Sequence, residues 1–154
     1  MKNQTLRDAV IRELIRMAMK AREQSYCPYS RFAVGAALLL GDGRIVTGCN
    51  IENAAYSPGN CAERTAIFKA VSEGNREFSA IAVVGGPAGK DPSSVCTPCG
   101  MCRQVLMEFC HPETFTIICA KDPETYQLYS LEEMLPAGFG PASLTVEMQV
   151  EDET

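Results

Sequence analysis

The sequence predicts an α/β fold, a three-layer α/β/α sandwich with a mixed five-stranded sheet. An apolar hairpin follows an opening helix, strand-like segments then alternate with helical ones, and no internal repeat or linker interrupts the chain. With 154 residues, 46% of them hydrophobic, the chain has enough apolar material for one continuous core. We therefore expect a single domain over residues 1–154.

The first half of the chain is expected to hold two helices separated by a hairpin and a loop. Thr5, with Asp8 three residues later, is a capping pattern for a helix start, and Gly74 is a residue type that ends helices. The predicted elements are a helix from Thr5 to about Gln24, strands at 34–40 and 45–47, a loop at 50–60 and a helix from about Cys61 to Glu73.

The second half is expected to complete the sheet and add two more helices. Pro98 suits a first helical turn because its missing N–H costs nothing there, and Ser130 with Glu133 forms a capping box. Residues 149–154 are expected to be an acidic, frayed tail. The predicted elements are strands at 79–85, 114–120 and 126–129, a loop at 86–97, a helix from Pro98 or Cys99 to about Cys110, and a short helix before Pro136.

Charge and segment composition exclude several classes of function. The chain has 14 basic and 19 acidic residues, a formal charge of -5, which opposes a partner bound through phosphates. It has no apolar stretch typical of a signal peptide, and nothing approaches the roughly 20 apolar residues of a membrane span. We expect a cytoplasmic protein without nucleic-acid or membrane partners, whose eight cysteines bind metal, catalyse or pack rather than form disulfides.

Two short motifs at predicted helix starts carry the strongest chemical signal, Cys61-Ala62-Glu63 and Pro98-Cys99-Gly100-Met101-Cys102. A Cys-x-x-Cys pair brings two sulfurs near one point. A third cysteine can supply a further corner of a tetrahedron and leave the fourth for water, as catalytic zinc sites require. Helix N-termini also stabilise thiolates. The pattern predicts a zinc site on three cysteines, with Glu63 beside it.

Other interpretations of the cysteines remain open at this point. The sulfurs could be buried thiols, Cys96 could close an all-cysteine structural site, and Cys99 with Cys102 could be a redox pair. The Gly-rich stretch 85–90 lacks the spacing of a phosphate-binding loop. The cysteines assigned to packing are Cys27, Cys49, Cys110 and Cys119.

Longer motifs occur in one order along nearly the whole chain. They are Cys27-Pro28-Tyr29-Ser30, residues 32–38, Asn50-Ile51-Glu52-Asn53, residues 61–66, residues 98–104, Leu135 and Phe139-Gly140-Pro141. In these motifs the sequence resembles the small, homotetrameric cytidine deaminases. The resemblance implies hydrolysis of cytidine and 2'-deoxycytidine to uridine and 2'-deoxyuridine plus ammonia, a reaction of pyrimidine salvage.

The resemblance also implies roles for particular residues. One Zn²⁺ per chain would be held by Cys61, Cys99 and Cys102, and Glu63 would move the protons. Arg64 would hydrogen-bond a ligand sulfur and temper the charge of the three thiolates. A homotetramer with active sites shared between subunits is implied, because Phe139 would reach a neighbour's site. The substrate-binding residues would be Asn50, Glu52, Phe32, Ala62 and Phe139.

Three rival functions remain at the level of sequence: another deaminase, a zinc-stabilised interaction module, and a redox protein built on Cys99 and Cys102. A deaminase of another aminopyrimidine or of a cytosine-containing antibiotic would use the same metal chemistry. A polynucleotide deaminase is disfavoured, because such enzymes commonly have His as the first ligand, where this chain has Cys61. A zinc-stabilised interaction module would use the cysteines for folding alone and would not need Glu63.

Overall fold

The computed structural model describes residues 6–144. Its named elements are five strands and four helices, and residues 141–144 are also helical where the described part ends. The helices are α1 (Asp8–Arg22), α2 (Ala62–Ser72), α3 (Gly100–Phe109) and α4 (Leu131–Met134). The strands are β1 (Phe32–Leu40), β2 (Ile45–Cys49), β3 (Phe78–Pro87), β4 (Thr116–Asp122) and β5 (Thr125–Ser130). Within residues 6–144 no helix combines the length and apolar character needed to span a bilayer.

The sheet has the order β2-β1-β3-β4-β5. The β3 and β4 strands run parallel, and every other neighbouring pair is antiparallel. Both faces of the central strands are covered, because successive side chains point to opposite sides: Leu38 faces the layer of α2, α3 and α4, and Leu39 faces α1. The predicted α/β sandwich with a mixed five-stranded sheet is confirmed.

The opening helix differs from the prediction at its ends. Its N-cap is Arg7, which makes no side-chain capping bond. The predicted cap at Thr5 lies outside the described residues, as does the tail at 149–154. The helix ends at Arg22, before the predicted Gln24, because the amides of Glu23 and Gln24 bond to carbonyls three residues back and form a turn.

The starts of α2 and α3 have the same local structure. Cys61 and Cys99 are the N-cap residues, and both have an extended backbone. The prediction of Pro98 in the first helical turn is therefore wrong, since Pro98 precedes the N-cap and α3 begins at Gly100. The predicted end of α2 at Gly74 is confirmed, with a φ of 93° at that glycine.

Two strands have boundaries that differ from the predicted ones, because strand pairing or a turn determines where they begin and end. The β3 strand is longer than predicted because it pairs with β1 from Pro87 opposite Phe32 to Phe78 opposite Leu40. The β4 strand starts at Thr116 rather than Thr114, because residues 114 and 115 bond back to the carbonyl of His111 in a turn. The predicted capping box of Ser130 and Glu133 opens α4.

A close contact between β2 and α2 brings the loop after β2 to the start of α2. A Cβ at Gly48 would lie 2.6 Å from both the Ala62 carbonyl oxygen and the Ala66 amide nitrogen. Because both atoms belong to the backbone, a larger residue would push the helix away. Gly48 thus allows α2, with Cys61 at its start, to lie beside the loop that carries Asn50.

Candidate active site

Three cysteine sulfurs meet where α2 and α3 begin. The Sγ atoms of Cys61 and Cys99 are 3.8 Å apart, and those of Cys99 and Cys102 are 3.6 Å apart. All three Sγ atoms lie within 4.8 Å of one another. Neither N-cap cysteine uses its side chain to cap its helix, which leaves both sulfurs free for another partner. The predicted ligands are brought together.

The spacing of these sulfurs suits zinc. In a tetrahedral site with Zn–S bonds of about 2.3 Å, two sulfurs lie about 3.8 Å apart. The two distances above are close to this value. Among the described residues, the metal-binding group contains Cys61, Cys99 and Cys102 without Cys96. The alternative of a closed site completed by Cys96 is therefore wrong, and three sulfurs leave one position of a tetrahedron free.

The sulfur of Cys61 lies in an environment that favours the thiolate. Hydrogen bonding from Cys102, and then from Arg64, lowers the pKa of Cys61 to about 5. The Arg64 Nη2 atom donates to the Cys61 Sγ atom at 3.2 Å. Burial instead raises the pKa of Cys96 to about 12, which keeps that side chain a neutral thiol. Metal ligation requires thiolate, and the electrostatics favour it at Cys61.

Glu63 is the charged residue that the fold buries. It is the second residue of α2 and is only 4% exposed, the one buried polar or charged side chain within residues 6–144. Burial raises the pKa of Glu63 to about 7, and the charge of Cys61 acts in the same direction. A carboxyl group with such a pKa can both take up and release protons near neutral pH.

Asn50 is held by three hydrogen bonds to the segments around it. Its Oδ1 atom accepts from the Ser25 hydroxyl and from the Val34 amide, the latter at 2.8 Å. Its Nδ2 atom donates to the Phe32 carbonyl at 2.8 Å. An amide NH₂ group has two hydrogens, so one N–H of Asn50 remains available to a ligand.

Glu52 is fixed through one of its two carboxylate oxygens. The Oε1 atom accepts from the amides of Tyr29 and Ser30 at 3.0 and 3.1 Å. Hydrogen bonding from Ser30, and then from Tyr29, holds the pKa of Glu52 below its usual range. The Oε2 atom remains an acceptor. Asn50 and Glu52 together therefore offer one donor and one acceptor, the complement of a single hydroxyl group.

A cavity of about 490 Å³ joins one metal ligand, Cys61, to these polar groups. Asn50, Glu52, Cys61 and Arg64 all line it. Phe32 and Phe139 do not line this cavity, and they are 43% and 60% exposed. Within one chain, Cys61 and Arg64 therefore share a cavity with Asn50 and Glu52, whereas Glu63, Cys99 and Cys102 lie outside its lining, as the two phenylalanines do.

Sequence reasoning missed a tyrosine pair at this cavity. The rings of Tyr29 and Tyr56 meet edge to face with centroids 6.2 Å apart, and both residues line the cavity. Tyr56 has a φ of 45°, which is unusual for a residue with a side chain. Tyr29 lies within the Cys27-Pro28-Tyr29-Ser30 motif and could have been singled out, whereas Tyr56 lies in a loop without periodicity.

A second missed residue holds the segment that carries Phe139. The Gln104 Nε2 atom, on α3, donates to the Phe139 carbonyl at 2.8 Å. Gln104 comes two residues after Cys102, so the helix that carries two sulfurs also fixes this segment. Its place in the 98–104 motif was a signal, but its acceptor is a backbone atom that sequence does not reveal.

Comparison with known proteins identifies the family. Residues 9–118 match the cytidine and deoxycytidylate deaminase zinc-binding region. The chain belongs to the cytidine and deoxycytidylate deaminase family. The zinc-binding region of this family and the three-sulfur cluster together assign zinc as the metal of the site.

Individual members of the family are similar over most of their length. A cytidine deaminase of Sporosarcina psychrophila is 49% identical over 138 residues, which cover 88% of this chain and 95% of the relative. A cytidine deaminase of Halalkalibacterium halodurans is 48% identical over 126 residues, covering 82% of this chain and 91% of that protein.

Solved structures of the family have the same fold. The crystal structure of cytidine deaminase from Burkholderia pseudomallei superposes with a TM-score of 0.75 at 45% identity, covering 82% of this chain and 97% of that one. The enzyme from Mycobacterium tuberculosis gives a TM-score of 0.68 at 41% identity, covering 83% and 95%.

Proposed function

We propose that this chain is a zinc-dependent hydrolase that converts free cytidine and 2'-deoxycytidine to uridine and 2'-deoxyuridine, releasing ammonia. The observation that carries the proposal is the three-sulfur cluster of Cys61, Cys99 and Cys102, next to the buried carboxyl group of Glu63. Membership of the deaminase family supports the reaction type. Pyrimidine salvage is the corresponding metabolic role.

Glu63 carries the protons of the reaction. Zinc held by Cys61, Cys99 and Cys102 would lower the pKa of a water molecule to about 7, which supplies hydroxide at neutral pH. Glu63 takes the proton of the attacking water and passes it to N3 of the base. Glu63 then takes the proton of the new C4 hydroxyl and gives it to the departing amino group, so that water and cytidine give uridine and ammonia. A carboxyl group with a pKa near neutrality suits both steps.

The remaining site residues hold the substrate. The free N–H of Asn50 donates to one sugar hydroxyl, and the free oxygen of Glu52 accepts from the same hydroxyl. Ala62 is the first residue of α2, where amides lack partners within the helix, and its N–H donates to the base. The family resemblance assigns Phe32 to a wall of the substrate pocket, beyond the cavity lining of the single chain. Arg64 offsets the negative charge of the thiolates by donating to Cys61.

Assembly completes the site. We propose a cytoplasmic homotetramer of single-domain chains, in which Phe139 of one subunit closes the substrate pocket of a neighbour. The 60% exposure of Phe139 supports this proposal, because a large apolar side chain at a protein surface is typical of a contact with another molecule. The negative net charge favours free nucleosides over polynucleotides.

Substrate identity is tested by ammonia release from four compounds. The zinc-loaded protein is assayed with cytidine, 2'-deoxycytidine, cytosine and deoxycytidylate, and a chelator-stripped sample serves as the control. We expect turnover of both nucleosides. The free base should react with a kcat/KM at least about 100-fold lower, because it leaves the polar groups of Asn50 and Glu52 unpaired.

Two results would contradict the proposal. Absence of turnover on every compound, with zinc bound and the fold intact, would reject cytidine deamination and favour a structural zinc site or another amine substrate. A preference for deoxycytidylate would keep the deaminase chemistry and reject free nucleosides as the substrates.

A further inference from the structure

Arg22 binds three backbone carbonyls that belong to two separate segments. Its Nε atom donates to the Ala33 carbonyl at 2.9 Å. Its Nη2 atom donates to the Pro87 carbonyl at 2.7 Å and to the Lys90 carbonyl at 2.9 Å. The guanidinium group therefore joins the start of β1 to the turn that follows β3.

The main chain around Arg22 is itself held close to β1. A Cβ at Gly35 would lie 1.9 Å from the Ala18 carbonyl oxygen and 2.5 Å from the Arg22 amide nitrogen. Only a glycine in β1 permits this approach, because both neighbouring atoms belong to the backbone. The last turn of α1 therefore lies directly on β1 and offers the Arg22 side chain a fixed starting point.

The segment that Arg22 holds contains Phe32. Arg31 has a φ of 54°, a backbone conformation that costs free energy and persists only where the surroundings maintain it. The Ala88 amide donates to the Arg31 carbonyl at 2.8 Å. Since Ala88 lies in the turn between Pro87 and Lys90, the segment 31–33 is fixed by Arg22 both directly and through this turn.

We propose that Arg22 is a positioning residue of the substrate site. By anchoring segment 31–33 and the turn 87–90, it fixes the Phe32 carbonyl that accepts from the Nδ2 atom of Asn50, a residue that lines the cavity. This inference rests on the proposed function and deepens it. A guanidinium group presents several donors in a rigid fork, and a lysine ammonium on its flexible stem does not reproduce that geometry. Arg22 acts on the substrate through the Phe32 backbone and Asn50, and it does not touch the reacting atoms.

Steady-state kinetics with matched variants test this role. Arg22→Met removes the donors and keeps most of the side-chain length. Arg76→Met is the control, because Arg76 also donates to backbone carbonyls, of Val71 and Asn75, at the far end of α2. We expect Arg22→Met to raise the KM for cytidine about tenfold while kcat falls less than about threefold, with bound zinc unchanged.

A double-mutant cycle separates positioning from general stability. If Arg22 acts through Asn50, then Arg22→Met combined with Asn50→Ala should have the KM of Asn50→Ala alone. Arg22→Lys should recover only part of the lost affinity. The proposal would be overturned if Arg22→Met lowered the melting temperature and left KM unchanged, or if the two substitutions had independent effects on KM.

Amide hydrogen exchange provides a readout that needs no activity. Arg22→Met should accelerate exchange of the Ala88 amide at least about tenfold, because the turn 87–90 loses its anchor, while amides within α2 keep the parent rates. An unchanged Ala88 rate would overturn the proposal. If the parent protein turned over no cytidine, the proposed function would fail, and the Ala88 rate would still decide whether Arg22 holds this segment.

Discussion

The two halves of the candidate site are built differently. The metal half, Cys61, Glu63, Cys99 and Cys102, lies in the first turns of α2 and α3. Its four side chains come together within one chain. The half proposed to bind substrate, called the sugar half, contains Asn50, Glu52, Phe32 and Phe139 and lies on loops and at a strand start. Its polar members are oriented by hydrogen bonds from distant segments, and its two aromatic members are 43% and 60% exposed.

In the proposed function, the metal half carries out the reaction and the sugar half recognises the substrate. Helix starts fix side chains through local backbone geometry, so the metal half is preorganised by the fold of a single subunit. The sugar half depends on long-range contacts and, in the proposed function, on a second subunit. Damage to the metal half should therefore abolish turnover, whereas damage to the sugar half should weaken substrate binding. The predictions below follow this division from the largest effect to the smallest.

The largest effect should come from the buried sulfur of the metal half. Cys102→Ala removes one of the three ligands, so the variant should lose its zinc and at least about a thousandfold in kcat. Metal analysis of the purified protein and ammonia release measure the two losses. Cys110→Ala is the matched control, because Cys110 is also buried near α3 but lies outside the sulfur cluster. Full zinc content in Cys102→Ala would contradict the ligand assignment.

The sugar half should respond to Glu52→Gln with an intact metal site. Glutamine keeps an oxygen for the amides of Tyr29 and Ser30 but replaces the second oxygen with a donor. We expect kcat/KM for cytidine to fall about 100-fold, because the sugar hydroxyl loses its acceptor. Zinc content and melting temperature should stay at parent values. Glu77→Gln serves as the control, because Glu77 precedes β3 and its side chain lies near Gly41, just after the end of β1. Equal kinetics for the two variants would reject the sugar contact.

A smaller effect is expected from Phe139→Ala, about tenfold in kcat/KM, because one aromatic contact is lost while the chemistry is retained. The assay is ammonia release at a series of protein dilutions. A Phe139→Ala protein with the parent's activity at every dilution would contradict the shared site.

Mixed oligomers provide a second test of whether neighbouring subunits share an active site. Glu63→Gln chains retain Phe139, and Phe139→Ala chains retain Glu63, so co-refolded mixtures should contain some complete sites if neighbouring subunits share them. The expected result is a higher activity per intact Glu63 in the mixture than in Phe139→Ala alone. The absence of any increase would place Phe139 within its own subunit's site or outside the site altogether.

Sequence patterns predicted the four helices and five strands named above, because apolar periodicity and turn residues are local signals. The helical residues 141–144 were not predicted. The three sulfurs were also predictable, since their spacing places them at helix starts. The start of α3 was not: Cys99 takes the N-cap position with an extended backbone, and Pro98 is left outside the helix.

Contacts made to backbone atoms were beyond the reach of sequence. Arg22 falls within the helix predicted from Thr5 to about Gln24 and had no role assigned from sequence, although it binds carbonyls 11, 65 and 68 residues away. The link from Gln104 to Phe139 is of the same kind. Such bonds depend on the folded path of the chain rather than on a residue pattern. The roles of Asn50, Glu52, Phe32, Ala62 and Phe139 in binding substrate stay predictions.

The most direct test of the account measures zinc content and ammonia release from cytidine on the same preparation of Glu63→Gln. Glutamine has nearly the size of glutamate but cannot carry a proton. We predict about one zinc per chain, as in the parent, and a kcat reduced by about a thousandfold or more. Turnover near the parent's rate with zinc bound would contradict Glu63 as the proton carrier and, with it, the proposed mechanism.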